Sequence, residues 1–237
     1  MYEVGRAGGF VSQQMWRRRG AGTLYAGAAL LLAVATAGLC AGAVFSGARP
    51  VQVTAAVAGT AAAVGCLFVW TRARRYMIQA RRAAIGARSE RQVRAAVRRT
   101  GAVAAAYGLV LGGRGGDCDA VVFTRGGGAA AIEVKTGHGP VVVDGGTMRV
   151  GNRTLHGDPV RQAENQARRL SRKLRGGTVQ AVVCVPGMTN RPFTTQTGVW
   201  VCSADDLKGV LDRAPRVFGS PADAEATMRR LWNENSS

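Results

Sequence analysis

The stretch Cys118-Asp119-Ala120-Val121-Val122-Phe123-Thr124-Arg125-Gly126-Gly127-Gly128-Ala129-Ala130-Ala131-Ile132-Glu133-Val134-Lys135 decides how the larger part of this chain folds. Two short apolar runs flank a glycine-rich turn, which is the pattern of a β-hairpin. With the turn centred on Gly126, residues whose numbers sum to twice that midpoint face each other. Asp119 and Glu133 then form an opposed pair on one face, with Cβ atoms roughly 5 Å apart. Lys135 lies two residues further on and shares that face, whereas Ile132 and Val134 point to the other.

Two carboxylates at that spacing repel each other unless a cation sits between them, and a hard divalent ion such as magnesium prefers oxygen ligands of this kind. Such an ion polarises a phosphoryl oxygen and lowers the pKa of a bound water. A neighbouring lysine orients or deprotonates that water and offsets developing charge. Arginine serves poorly as a base because it stays protonated. The residue type is informative here, since only Lys135, Lys173 and Lys208 are lysines among 32 basic residues. The competing interpretation is a cross-strand Asp–Lys or Glu–Lys pair on a solvated sheet face. Against it stand the apolar flanks, because charges inside such strands are costly unless used.

Downstream, Val141 to Val143 and Met148 to Val150 form a further hairpin, and upstream Ala102 to Leu111 reads as a strand. Asp158 is a good N-cap with Pro159 at the first helical position, predicting a helix to about Leu174. Gln162 and Gln166 share one face of it. Arg161, Arg168, Arg169, Arg172, Lys173 and Arg175 make it strongly basic. That pattern fits phosphate contacts, or simply favourable charge near a helix C-terminus. Val179 to Val185 and Val199 to Cys202 read as strands and Ala204 to Leu211 as a helix. The tail from Pro221 to Ser237 reads as one short helix with a frayed end. The five cysteines are odd in number and contain no CxxC pair, so neither a disulfide framework nor a zinc site is expected. Cys184 and Cys202 read as core residues.

The N-terminal part is different. The whole chain has 237 residues and a formal net charge of +18, yet between Met1 and Ser89 the only acid is Glu3. Two uncharged stretches, Thr23 to Phe45 and Val51 to Thr71, are each long enough to cross roughly 30 Å of hydrocarbon as a helix. Only Ser46-Gly47-Ala48-Arg49-Pro50 separates them, so they form a hairpin. Arg17, Arg18 and Arg19 precede the first span; Arg72, Arg74, Arg75, Arg81 and Arg82 follow the second. By the positive-inside rule both ends are cytoplasmic. A cleaved signal peptide and a pair of buried soluble helices are the rivals. The first span exceeds a signal h-region, and neither stretch has a polar face. Gly38 and Gly42 form a small-xxx-small pair suited to close helix approach, although chance yields one readily in so Ala/Gly-rich a segment. From Arg72 to Arg99 the chain holds ten arginines and reads as one long helix or two short ones, stopped by Thr100-Gly101. Its first turns suit anionic lipid headgroups.

The segments Gly86-Ala87-Arg88-Ser89-Glu90, Asp117-Cys118-Asp119-Ala120-Val121-Val122, Ala131-Ile132-Glu133-Val134-Lys135 and Asp158-Pro159-Val160-Arg161-Gln162 resemble, in order, the motifs of the nuclease-related domain (NERD) family of the PD-(D/E)XK restriction-endonuclease-like superfamily. The resemblance runs from about Gly86 to Leu211. It departs at Ala120, where the family often has histidine. It implies a central mixed β-sheet flanked by helices and metal-dependent cleavage of phosphodiester bonds. It implies that Asp119 and Glu133 are metal ligands assisted by the Val134 backbone carbonyl, and that Lys135 is the catalytic lysine. Glu90 would be the acidic residue of the first helix, and Gln162 the glutamine beside the site.

The resulting expectation is an α/β protein with a restriction-endonuclease-like mixed β-sheet flanked by helices, preceded by a two-helix transmembrane hairpin. Its parts are a basic cytoplasmic N-terminus (1–22), the hairpin (23–71), a basic juxtamembrane helix (72–85), the nuclease-related domain (86–213) and a C-terminal tail (214–237). The expected function is a multi-pass cell-membrane nuclease with both termini cytoplasmic, using Mg²⁺ or Mn²⁺ on DNA, with RNA second. Arg161, Arg168, Arg169, Arg172 and Lys173 would contact nucleic acid. The alternative is an inactive, membrane-tethered nucleic-acid-binding or interaction module with the same fold. Oligomeric state is not legible.

Overall fold

The computed structural model describes residues 1–5, 9–46, 49–112 and 117–235. The chain divides into two compact units, Val11–Ala84 and the combination of Met1–Phe10 with Ile85–Ser237.

The first unit is formed by two long helices. Helix α1 spans Gly9–Ser46, and α2 runs without a break over Arg49–Arg99. The connector after the second span is therefore one helix, continuous with that span. Gly47 and Ala48 of the expected turn lie outside the described residues. Both helices are long and apolar enough to cross a membrane. Their apolar side chains are largely uncovered: Leu24, Leu31, Val57, Leu67 and Phe68 are all more than half exposed. The hydroxyls of Thr36, Thr54 and Thr60 each donate to the carbonyl four residues back, at 2.6, 2.9 and 2.8 Å. Such bonds satisfy within the helix what hydrocarbon would leave unpaired. The helices pack antiparallel: Tyr25 stacks on Tyr76 at 5.5 Å, and Cys66 Sγ donates to the Ala29 carbonyl at 3.3 Å. Close approach occurs at Gly22, against Met77, and at Gly59, against Cys40. A Cβ at Gly38 or Gly42 would meet nothing within 4 Å, so that pair is not the contact.

The second unit is a seven-stranded mixed sheet between helical layers, the expected class. Its strands are β1 (Tyr2–Gly5), β2 (Ala104–Val110), β3 (Asp117–Phe123), β4 (Ala129–Val134), β9 (Gln180–Cys184), β12 (Trp200–Cys202) and β11 (Phe193–Thr194), in the spatial order β1-β2-β3-β4-β9-β12-β11. Short strands β5 (His138–Gly139) and β10 (Gly187–Met188) pair with each other, and β6 (Val141–Asp144), β7 (Thr147–Val150) and β8 (Arg153–Thr154) form a small separate sheet. Helices α3 (Pro159–Lys173) and α5 (Pro221–Asn235) contribute to one core with Val121, Phe123, Ala131 and Val183. The end of α2 and helix α4 (Leu207–Leu211) cover the other face, over Val122, Ile132 and Val182. Alternation along each strand divides these two sets.

The β3–β4 hairpin has the register derived from the sequence, with Ala120 opposite Ile132 and Phe123 opposite Ala129. Its turn is locked from outside. The Gly127 carbonyl accepts from the Val217 and Phe218 amides at 2.7 and 2.9 Å. Gly127 has φ +82°, and a Cβ there would come within 2.4 Å of the Phe218 carbonyl oxygen. Only glycine fits both demands.

Strand β1 has no counterpart in the sequence reading. The residues before the first span form a parallel edge strand on β2, with Glu3 beside Ala105. Glu3 accepts from Arg94 Nε at 2.8 Å and from Arg98 Nη2 at 2.7 Å. Burial opposes its charge, but hydrogen bonds from Arg94 and Arg98 outweigh burial and hold its carboxyl down at about 2. A depressed carboxylate contributes stability above its unfolded value of 4.5 and loses it as pH falls through the folded value. Glu3→Gln is therefore expected to cost about 1–2 kcal/mol at pH 7 in chemical denaturation. The difference from wild type should shrink as pH falls from 4.5 towards 2.

Candidate active site

The site lies where β3 begins and β4 ends, on the face covered by α3. Carboxyl ends of strands next to a parallel neighbour are where open α/β sheets place their ligand crevices. Here β4 runs parallel to β9, with Val134 beside Cys184. The paired register ends at Ala120–Ile132, so Asp119 and Glu133 are the next residues on the two strands, and the Val134 amide bonds Asp119.

Glu133 is only 3% exposed, and both its oxygens are held. Lys135 Nζ donates to Oε1 at 2.5 Å, and Gln166 Nε2 donates to Oε2 at 2.7 Å. Lys135 Nζ also reaches Gln162 Oε1 at 3.2 Å. Asp119 is half-buried, and its Oδ2 accepts from the Val134 amide at 2.7 Å. Burial, and then the negative charge of Glu133, push the Asp119 carboxyl well above the usual carboxylate range. The Val134 amide and Lys135 pull the other way without prevailing, while Glu90 on α2 adds to the rise. Glu90, half-buried near the start of this unit, is thus within electrostatic reach of Asp119.

Asp119, Glu133, Lys135 and Gln162 come together as the sequence indicated. Gln166 does too, although spacing alone gave it no role beyond sharing a face with Gln162. The Asp158-Pro159 start works as read: Asp158 Oδ1 accepts from the Arg161 amide at 2.9 Å and Pro159 opens the helix. That fixes which turn of α3 faces the site. The basic residues of α3 have different surroundings. Arg161 and Arg169 line a cleft of about 230 Å³ with Gln162, Asn165 and Asp158. Arg168, Arg169 and Arg172 border a larger cleft of about 930 Å³ that includes none of Asp119, Glu133 or Lys135. Arg168 is paired with Glu164 at 3.2 Å, and Lys173 Nζ donates to Asn235 Oδ1 of α5 at 3.1 Å.

Among the described residues no group of three or more His, Cys, Asp and Glu side chains is gathered to hold a metal ion. The donor set is instead a carboxylate pair, and magnesium is commonly held by one or two carboxylates with water and substrate phosphate completing its shell. The pair fits that ion. Each carboxylate oxygen accepts more than one bond, and Asp119 Oδ1 has no donor among the described residues. The negative charge of Glu133 adds to the burial that raises the Asp119 carboxyl.

The sign of that shift gives a test. A carboxyl raised in the folded state destabilises the fold once pH climbs above its unfolded value, because the unfolded chain ionises more readily. With chelator present, Asp119→Asn is expected to raise the melting temperature by a few degrees at pH 7–8. The gain should fade towards pH 4 in scanning calorimetry.

Residues 85–186 match the family model of the nuclease-related domain. Neither the curated proteins nor the solved structures give a match. The matched stretch contains Glu90, Asp119, Glu133, Lys135 and Gln162.

Proposed function

We propose that this nuclease-related domain hydrolyses phosphodiester bonds, of DNA in the first place, with Mg²⁺ or Mn²⁺. We further propose that the helical hairpin holds it at the cytoplasmic face of the cell membrane. The observation that carries the catalytic reading is the buried Glu133, opposed to Asp119 and bonded to Lys135. Asp119 and Glu133 would hold the cation, with the Val134 carbonyl assisting. Bound there, the cation would polarise a phosphoryl oxygen and lower the pKa of a water. Lys135 would orient the attacking water and offset developing charge, and Gln162 fixes the ammonium. Arg161 and Arg169, in the cleft that includes Gln162, are the arginines best placed to receive the flanking phosphates. Arg168 and Arg172 would extend the basic track, whereas Lys173 is engaged with α5.

The membrane reading rests on a different observation. Strand β1 precedes α1 and pairs with β2, which follows α2. A chain that crosses a bilayer between those strands must cross it an even number of times. Trp16 and Tyr25 on α1 and Trp70 and Tyr76 on α2 lie near the arginine-rich flanks in sequence, with Tyr25 stacked on Tyr76, the pattern of an interfacial belt. A reporter inserted after Ala48 should appear outside the cell. Reporters at the C-terminus should appear inside; the same side for both would contradict two spans.

The enzymatic test uses the full chain in detergent, because a fragment starting after the spans would lack β1. Plasmid DNA, linear DNA and RNA are incubated with Mg²⁺, Mn²⁺ or EDTA. Metal-dependent cutting is expected, reduced about 10²–10⁴-fold by Glu133→Ala and by Lys135→Ala. Salt-sensitive DNA binding without cutting would point to a tethered binding module instead.

A further inference from the structure

We infer that Gln166 is the positioning residue for Glu133, fixing the one carboxylate that the site cannot leave free. This rests on the reading of Glu133 as a cation ligand. Gln166 sits one turn beyond Gln162 on α3 and is 2% exposed. Its Nε2 makes two bonds, to Glu133 Oε2 at 2.7 Å and to the Asp117 carbonyl at 3.1 Å. One amide therefore joins α3 to the end of β4 and the first residue of β3. Those are the two strand ends that carry Glu133 and Asp119.

The orientation of that amide is dictated by its neighbours. Turned over, its oxygen would face a carboxylate and a carbonyl, both acceptors, with no donor between them. With Nε2 towards Glu133, the Gln166 Oε1 atom is left buried with no hydrogen-bond partner among the described residues. A buried acceptor without a donor is costly, and the arrangement persists because the carboxylate on the other side needs the donor more. Charge-assisted hydrogen bonds are the stronger class.

The division of labour follows from the contacts. Lys135 neutralises Glu133 through Oε1 and can move, being about a quarter exposed. Gln166 is uncharged, buried and set on a packed helix. It holds Oε2 whatever Lys135 does, so the rotamer of Glu133 survives when the lysine turns to a water or phosphate. Groups that orient metal ligands from behind typically contribute 10–100-fold to metal affinity.

The test measures Mn²⁺ affinity of the full chain in detergent by titration calorimetry, for wild type and Gln166→Met, which keeps length and removes the amide. Affinity is expected to fall about 10–100-fold in the folded variant, and cleavage should lose kcat more than KM. A merely structural role would lower the melting temperature in chelator and leave the Mn²⁺ affinity unchanged, which would overturn the inference. Wild type without saturable Mn²⁺ binding would sink the cation reading itself. The contact is then judged separately, as it also is should Gln166→Met not fold, from the side-chain amide of Gln166 in nitrogen-15 spectra of the full chain. A shifted, slowly exchanging signal that collapses in Glu133→Ala supports the contact; a free-amide signal indifferent to Glu133→Ala removes it.

Discussion

A carboxylate kept almost wholly out of water must be compensated on the spot, and Glu133 is compensated twice, by the Lys135 ammonium and the Gln166 amide. An unpaired buried carboxylate would cost several kcal/mol, so the position of every element that delivers a donor is constrained by this one side chain. Lysine comes from the residue that directly follows β4, its amide bonded to the Cys184 carbonyl, which requires that β4 stay extended through Val134. Glutamine comes from α3, which requires the Asp158 cap and Pro159 to start the helix in the right turn. Asp119 comes from the opposed strand, through a turn that only Gly127 can make. The site is therefore an outcome of the hairpin register, the helix start and the turn together.

The same constraint explains why the site looks incomplete as a collection of charges. Among the described residues Asp119 and Glu133 share one lysine, and burial, with the charge of Glu133 added to it, raises the Asp119 carboxyl. Structural ion pairs seldom carry such an imbalance. Functional sites often do, because the missing positive charge arrives with the ligand. Farther from the site, Glu3 shows the opposite arrangement: one carboxylate with Arg94 and Arg98, fully satisfied and lowered. That cluster ties the segment before the hairpin to the helix after it, and its chemistry is that of a fastening.

How much of this was legible depended on the distance over which the signal acts. The β3–β4 register could be read because strict alternation and a triple glycine fix a hairpin locally, and the boundaries of α3 could be read because Asp158-Pro159 is a local start signal. Strand β1 could not. Four residues separated from their partners by roughly a hundred others carry no periodicity of their own, and only the oddity of Glu3 as a lone acid hinted at a role. Helix α4 starts at Leu207 and not Ala204, because Ser203 Oγ and Asp206 bond each other in a turn that delays it. The C-terminal helix buries Ala224, Met228 and Leu231 in the main core, a tertiary role that a short amphipathic tail does not announce. The Gly38–Gly42 spacing suggested a helix contact that Gly22 and Gly59 make in its place, since small residues are plentiful on every face of these helices. Gln166 was visible as the partner of Gln162 at helical spacing; its task depended on a carboxylate distant in sequence.

The central claim is that the Asp119–Glu133 pair is a seat for a divalent cation. Diffraction from crystals of the full chain grown with Mn²⁺, recorded to give anomalous signal, tests it most directly. The account predicts one strong peak within coordinating distance, about 2–2.5 Å, of both carboxylates. A peak bound elsewhere, or no peak while Lys135 still lies on Glu133, would contradict it.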